Sequence, residues 1–345
     1  MEFLRESIKR CLSCNYKQKL LESFQIQKKV LAFSVFQFLL KILAWFLTGS
    51  LAILTDGLES IINIIGSIAG LGALWYAMLP KDKNHPYGHG KIEFLSASFE
   101  GMLIAVTGVV IFYKSYLSLG NPHPVHKLDI GIGLVAISGW LNYFAGVYSI
   151  QKGKSIGSQQ LVATGKHLKA DAYSTLAMFV GLIVLYFTRW WLLDNLIAMV
   201  FCLFLVYTGY TILRDAMGGI LDEADEALLK DVIASLELHR RENWVDLHNL
   251  RIIKYGSLLH LDCHLTVPWY FNVHEAHNEV EALDKAVKDH FGTAVELFVH
   301  TDGCLPYSCS ICTKSGCSER KQDFVARVVW DRDNISKNEK HGKNL

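Results

Sequence analysis

From about residue 30 to about residue 213 the chain alternates apolar stretches of some twenty residues with short polar turns. Twenty helical residues rise about 30 Å, the thickness of a bilayer's hydrocarbon core. The stretches fall at about 30–48, 51–79, 96–117, 128–150, 160–188 and 191–213. They predict an α-helical membrane protein with a bundle of six spans. The composition agrees, with 51% hydrophobic and 19% charged residues, more apolar than an ordinary soluble domain. Lys is concentrated in the N-terminal segment, in "PKDKNHPYGHGKIE" (80–93) and in "QKGKSIGS" (151–158), and is sparse in the opposite turns. The positive-inside rule then places both termini in the cytoplasm. A net charge of +1 and the lack of a basic stripe predict no nucleic-acid partner.

One span breaks the apolar pattern. "ILTDGLESIIN" (53–63) carries Asp56, Glu59 and Asn63, and "GKHLKADAYST" on the fifth stretch carries His167 and Asp171. Glu59 and Asn63 are four residues apart, as are His167 and Asp171, so each pair shares a helix face. An imidazole, two carboxylates and an amide oxygen make a donor set for one divalent cation. The bland alternative is polar glue between helices. Ionisable groups are expensive in a membrane, which favours the ion site. Asp56, a turn before Glu59, is expected at the mouth of the ion path or simply hydrated.

The loop "DKNHPYGHGK" offers Asp82, His85 and His89, three ligands for a zinc-like ion with an open position, or else a solvated turn. After about 214 the pattern changes to helix, strand, strand, helix, strand, a small α+β domain. Its His and Asp residues are dense: His248, His260, Asp262, His264, His277, His300 and Asp302. Alternate strand residues share a face, so His260, Asp262 and His264 point one way. "CLPYSCSICTKSGC" holds Cys304, Cys309, Cys312 and Cys317, and Cys11 and Cys14 repeat the Cys-x-x-Cys spacing near the N-terminus. Metal chelation in a reducing compartment and redox chemistry compete there, and no thioredoxin-like surroundings favour the second. The final stretch, from about 318, reads as polar and poorly ordered. No nucleophile triad, phosphate loop or nucleotide motif appears, so a transporter is expected and not an enzyme, with no organic cofactor.

In order and spacing, "GSLAILTDGLESIIN", "HPYGHGKIEFLSASFEG", "HLKADAYSTLAMFVGL" and "YTGYTILRDAMGGILDEAD" resemble the cation diffusion facilitator family of divalent metal/proton antiporters. The resemblance implies a cytoplasmic ferredoxin-like domain after the six spans, and a homodimer. It implies that Glu59, Asn63, His167 and Asp171 form the transport site, and that Asp82, His85 and His89 form a loop site. It places His248, His264, His277, His300 and Asp302 in a zinc-binding cluster that braces the dimer. The family usually has His or Asp and then Asp where this chain has Glu59 and Asn63. That departure leaves two carboxylates in the transport site, a set that suits iron(II), manganese or cobalt as well as zinc. The expected organisation is an N-terminal segment (1–29), a transport domain (30–213), a metal-binding dimerisation domain (214–303) and a Cys-containing tail (304–345). The expected activity is efflux of a divalent transition metal (zinc, iron(II), manganese, cobalt or cadmium) in exchange for protons, in a bacterial inner membrane. The alternative is a membrane metal sensor that binds without transporting.

Overall fold

The computed structural model describes the backbone of residues 2–48, 51–118, 128–188, 191–292 and 294–343. Side chains are described over 18–43, 45–46, 60–61, 63–117, 133, 136–177, 179–180, 199–200, 202–292 and 294–343. Asp56, Glu59, Cys11 and Cys14 lie outside the described side chains. The chain divides into two compact units, Lys17–Leu221 and Asp222–Leu345 together with Met1–Tyr16.

The first unit is built from long helices: α1 (Glu2–Thr48) from Lys17 onward, α2 (Leu51–Ala77), α3 (Ile92–Ser118), α4 (Leu128–Ile156), α5 (Gln159–Thr188) and α6 (Trp191–Ile220). Among the described residues, Ile92–Leu117 is long and apolar enough to cross a membrane by composition. The neighbouring helices carry polar residues in mid-span. Those residues face inward. On α1 the buried face includes Ser23, Gln27, Ser34, Gln37 and Lys41, while Phe36, Leu39, Leu43 and Phe46 look outward. Gln37 ties α1 to α4: its Nε2 donates to the Ser138 carbonyl at 3.1 Å and to Asn142 Oδ1 at 3.3 Å. Apolar groups outside and polar groups turned toward neighbouring helices are what a hydrocarbon solvent favours.

Among the described residues, two helix pairs touch backbone to backbone. A Cβ on Gly209 of α6 would lie 2.6 Å from the Ala105 nitrogen of α3, and one on Gly165 of α5 would lie 2.8 Å from the Gly146 carbonyl of α4. Glycine permits these close crossings because it has no side chain to separate the helices.

The second unit contains α7 (Glu226–Leu238), β1 (Asp246–Tyr255), β2 (Leu258–Val267), α8 (Val273–Phe291) and β3 (Val295–Gly303). The sheet order is β1-β2-β3, with β1 antiparallel and β3 parallel to β2. Asp225 caps α7 through the Leu228 amide, and Asn272 with Glu275 forms a capping box at α8. One face of β2, carrying Leu261, Cys263 and Leu265, shares a core with Val232 and Leu236 of α7 and Leu283 of α8. The opposite face carries His260, Asp262 and His264, as the strand period predicts.

The final stretch is not poorly ordered. Trp330 and Ile335 are buried in the core of this unit, and Asp331 caps the short helix α9 (Arg332–Ile335). Arg240 stacks over the Trp330 ring at 4.0 Å. The polar composition of the segment hides these two apolar anchors, which dock it on the core of the unit.

Candidate functional site

In the helical unit the described members of the expected transport site come together. Asn63 on α2 donates from Nδ2 to Asp171 Oδ2 on α5 at 2.5 Å. The His167 Nε2 lies 3.7 Å from Asp171 Oδ1. Asn63 Oδ1 is buried and accepts no hydrogen bond among the described residues. An amide oxygen held dry beside a carboxylate and an imidazole is a hard donor aimed where a cation is stabilised.

Sequence spacing alone missed Glu100 of α3. Its Oε1 lies 3.3 Å from His167 Nδ1. Its Oε2 accepts Gln160 Nε2 at 2.8 Å and Thr164 Oγ1 at 3.0 Å. Two donors fix one carboxylate oxygen and turn the other to the imidazole. A proton on Nδ1 then leaves the Nε2 lone pair facing Asp171, the carboxylate–histidine arrangement that orients a metal ligand. A signal was present: Glu93 and Glu100, seven apart, place two acids on one face of an apolar helix. Glu93 sits fully buried and accepts the Ser158 hydroxyl at 2.5 Å, a structural tie to the start of α5.

The loop residues also converge. One donor atom each from Asp82, His85 and His89 lies within 4.8 Å of the others. Asp82 Oδ1 accepts the backbone amides of His85 at 2.6 Å and Asn84 at 2.9 Å. The His85 amide, above all, holds the Asp82 carboxyl below its ordinary range. His89 is buried against Tyr76, and its Nδ1 makes no hydrogen bond among the described residues.

In the second unit the strand register sets the cluster. His248 on β1 pairs with His264 on β2, which pairs with His300 on β3, so three imidazoles stand in one row across the sheet. Asp302 Oδ2 lies 3.7 Å from His248 Nε2 and 3.5 Å from His264 Nδ1. His248, His264 and Asp302 bring donor atoms within 4.8 Å of one another. Burial holds the His248 imidazole below its usual range, which favours the neutral form that binds metal. His300 Nε2 stands 3.7 Å from Asp302 Oδ1 at the rim. His277 on α8 lies outside the trio and pairs with Glu281 at 3.2 Å. His260, toward the far end of β2, pairs instead with Glu296 at 3.3 Å. Cys304, Cys309, Cys312 and Cys317 line one cavity of about 360 Å³.

A bundle with polar residues turned inward, followed by a small α+β unit with His and Asp clusters, fits a membrane cation transporter, and the family comparisons show that class. The cation efflux transmembrane domain matches residues 29–221, and the cytoplasmic domain of cation efflux proteins matches residues 224–304. The chain therefore belongs to the cation diffusion facilitator family. An uncharacterised transporter of Synechocystis is 30% identical over 250 residues, 72% of this chain and 81% of the relative. Cation-efflux pumps named FieF from Salmonella paratyphi A and Salmonella agona are each 25% identical over 273 residues, 77% of this chain and 88% of theirs. The protein is thus an integral membrane protein of a metal cation efflux family, a transporter in class.

Proposed function

We propose that the protein exports a divalent transition metal from the cytoplasm by proton antiport, through six spans formed by α1–α6. The substrate site consists of Glu59, Asn63, His167 and Asp171, with Glu100 positioning His167. The reading is carried by His167, held between the carboxylates of Glu100 and Asp171, with Asn63 Oδ1 close by and unpartnered among the described residues. Metal binds the deprotonated ligands and protons compete for the same atoms. A proton arriving from outside releases the metal; its loss to the cytoplasm reloads the site. The loop trio Asp82, His85 and His89 serves as a relay or capture site at the membrane surface. His248, His264 and Asp302, with His300 and His277 nearby, bind cytoplasmic metal in a homodimer whose termini are both cytoplasmic. A bacterial plasma membrane fits the bacterial relatives. Zinc and iron(II) both suit the mixed nitrogen and oxygen donors.

The test is metal-resolved flux in proteoliposomes with an imposed pH gradient. Asp171→Ala is expected to abolish transport while the protein remains monodisperse, and Asn63→Asp is expected to change the order of metal preference. Normal flux through Asp171→Ala would sink this assignment. Binding without flux in the unaltered protein would make it a sensor.

A further inference from the structure

The family domain ends at residue 304, and the four tail cysteines begin there. We infer that Cys304, Cys309, Cys312 and Cys317 form a resident tetrathiolate site for one zinc-type ion, distinct from the transported metal.

The four thiols are free and border a single cavity. Their spacing, four residues, two, then four between successive cysteines, brings them round one short loop. That loop has little of its own to hold it. Between residues 304 and 325 the regular structure is one 3-10 turn, Pro306–Ser310, and the buried apolar side chains are Ile311 and Cys312. A segment this small and this poor in core needs a staple.

Hydrogen-bond donors reach two of the sulfurs, and cations border the cavity. The Lys321 amide donates to Cys309 Sγ at 3.4 Å and the Tyr270 hydroxyl to Cys317 Sγ at 3.7 Å. The Arg320 guanidinium reaches the carbonyls of Cys309, Cys312 and Lys314 at 3.0, 3.1 and 2.9 Å, fixing the loop that bears the central pair. Lys314, Arg320 and Lys321 all border the cavity. A divalent ion with four thiolates carries two net negative charges, and these cations offset them. Each thiol that coordinates releases its proton to solvent.

The four sulfurs surround the cavity without meeting at one point: no three of them come within 4.8 Å of each other. A zinc–sulfur bond of about 2.3 Å puts tetrahedral sulfurs about 3.8 Å apart. Binding therefore contracts the loop around the ion. A tetrahedral sulfur cage is closed and lacks the exchangeable position that a transport site needs.

Truncation at 304 cannot test this, because Trp330 and Ile335 belong to the core of the unit. The experiment uses full-length protein purified under reductant and loaded with cobalt(II), then zinc. A sulfur-to-cobalt charge-transfer band in the near ultraviolet is expected, displaced by zinc and lost in Cys309→Ser/Cys312→Ser. In the unaltered protein, zinc is expected to slow alkylation of the four tail cysteines by an order of magnitude, read peptide by peptide. Alkylation at the same rate with and without zinc would overturn the site. So would a band that survives the double substitution, or recovery of the tail cysteines as disulfides. None of these readouts depends on transport.

Discussion

His167 works only as well as its orientation, and Glu100 supplies that orientation from a helix 67 residues earlier. Glu100→Gln keeps the shape but removes the charge that favours a proton on Nδ1. It is expected to raise the metal concentration for half-maximal flux by roughly 10- to 100-fold, the usual effect of losing an orienting carboxylate. A change in maximal rate alone, with half-saturation unaltered, would mean that Glu100 acts elsewhere. The spacing of His167 and Asp171 was legible in the sequence because four residues make one helical turn. The link to Glu100 was not, because nothing local in α3 says which neighbour it will meet.

At the scale of elements, the C-terminal strap beside β1 is the part least visible in composition. Its Lys337 carbonyl accepts the Asn249 amide at 2.8 Å, and Lys340 Nζ lies 3.2 Å from Asp302 Oδ1. A lysine ammonium thus holds the carboxylate that the His248–His264 pair would share with a metal. Lys340→Met is expected to tighten zinc binding to this cluster roughly fivefold, about 1 kcal/mol for a partly exposed pair. Calorimetric titration would measure it, and Asp302→Asn should erase the difference between the two backgrounds. The strap also has a pH dependence. Asp246, hydrogen-bonded to His341 at 2.5 Å, raises the His341 pKa above its usual value despite burial. A raised folded-state pKa gives stability that is full below about pH 6.5 and fades as pH rises through the raised value. Hydrogen exchange over residues 336–343 should therefore show less protection at about pH 8 than at about pH 6, after correction for intrinsic rates. Asp246→Asn should remove that pH dependence.

For the molecule as a whole, the helical unit depends on how closely its helices approach. A Cβ at Gly209 would meet the Ala105 nitrogen at 2.6 Å and the Gly101 carbonyl at 2.7 Å, and neither is a flexible side chain. Gly209→Val must push α3 and α6 apart, at a cost of about 1–3 kcal/mol. Loss of monodisperse protein in detergent, or a lower unfolding temperature, is the expected result. Gly72→Ala serves as the control, since a Cβ there meets nothing within 4 Å. Equal behaviour of the two variants would show that the α3–α6 crossing is looser than these distances.

The sequence by itself determined the elements and the chemical inventory. Apolar stretches of about twenty residues specify long helices, and period-two alternation puts His260, Asp262 and His264 on one strand face. The tertiary structure decided which of these groups meet. It aligned His248, His264 and His300 through strand register, set His277 aside with its helix, and buried Trp330 and Ile335 from a segment that reads as polar. The physical reason is range. Helix and strand periods act over a few residues, whereas the contact of His341 with Asp246 joins positions 95 apart and exists only once the core has closed.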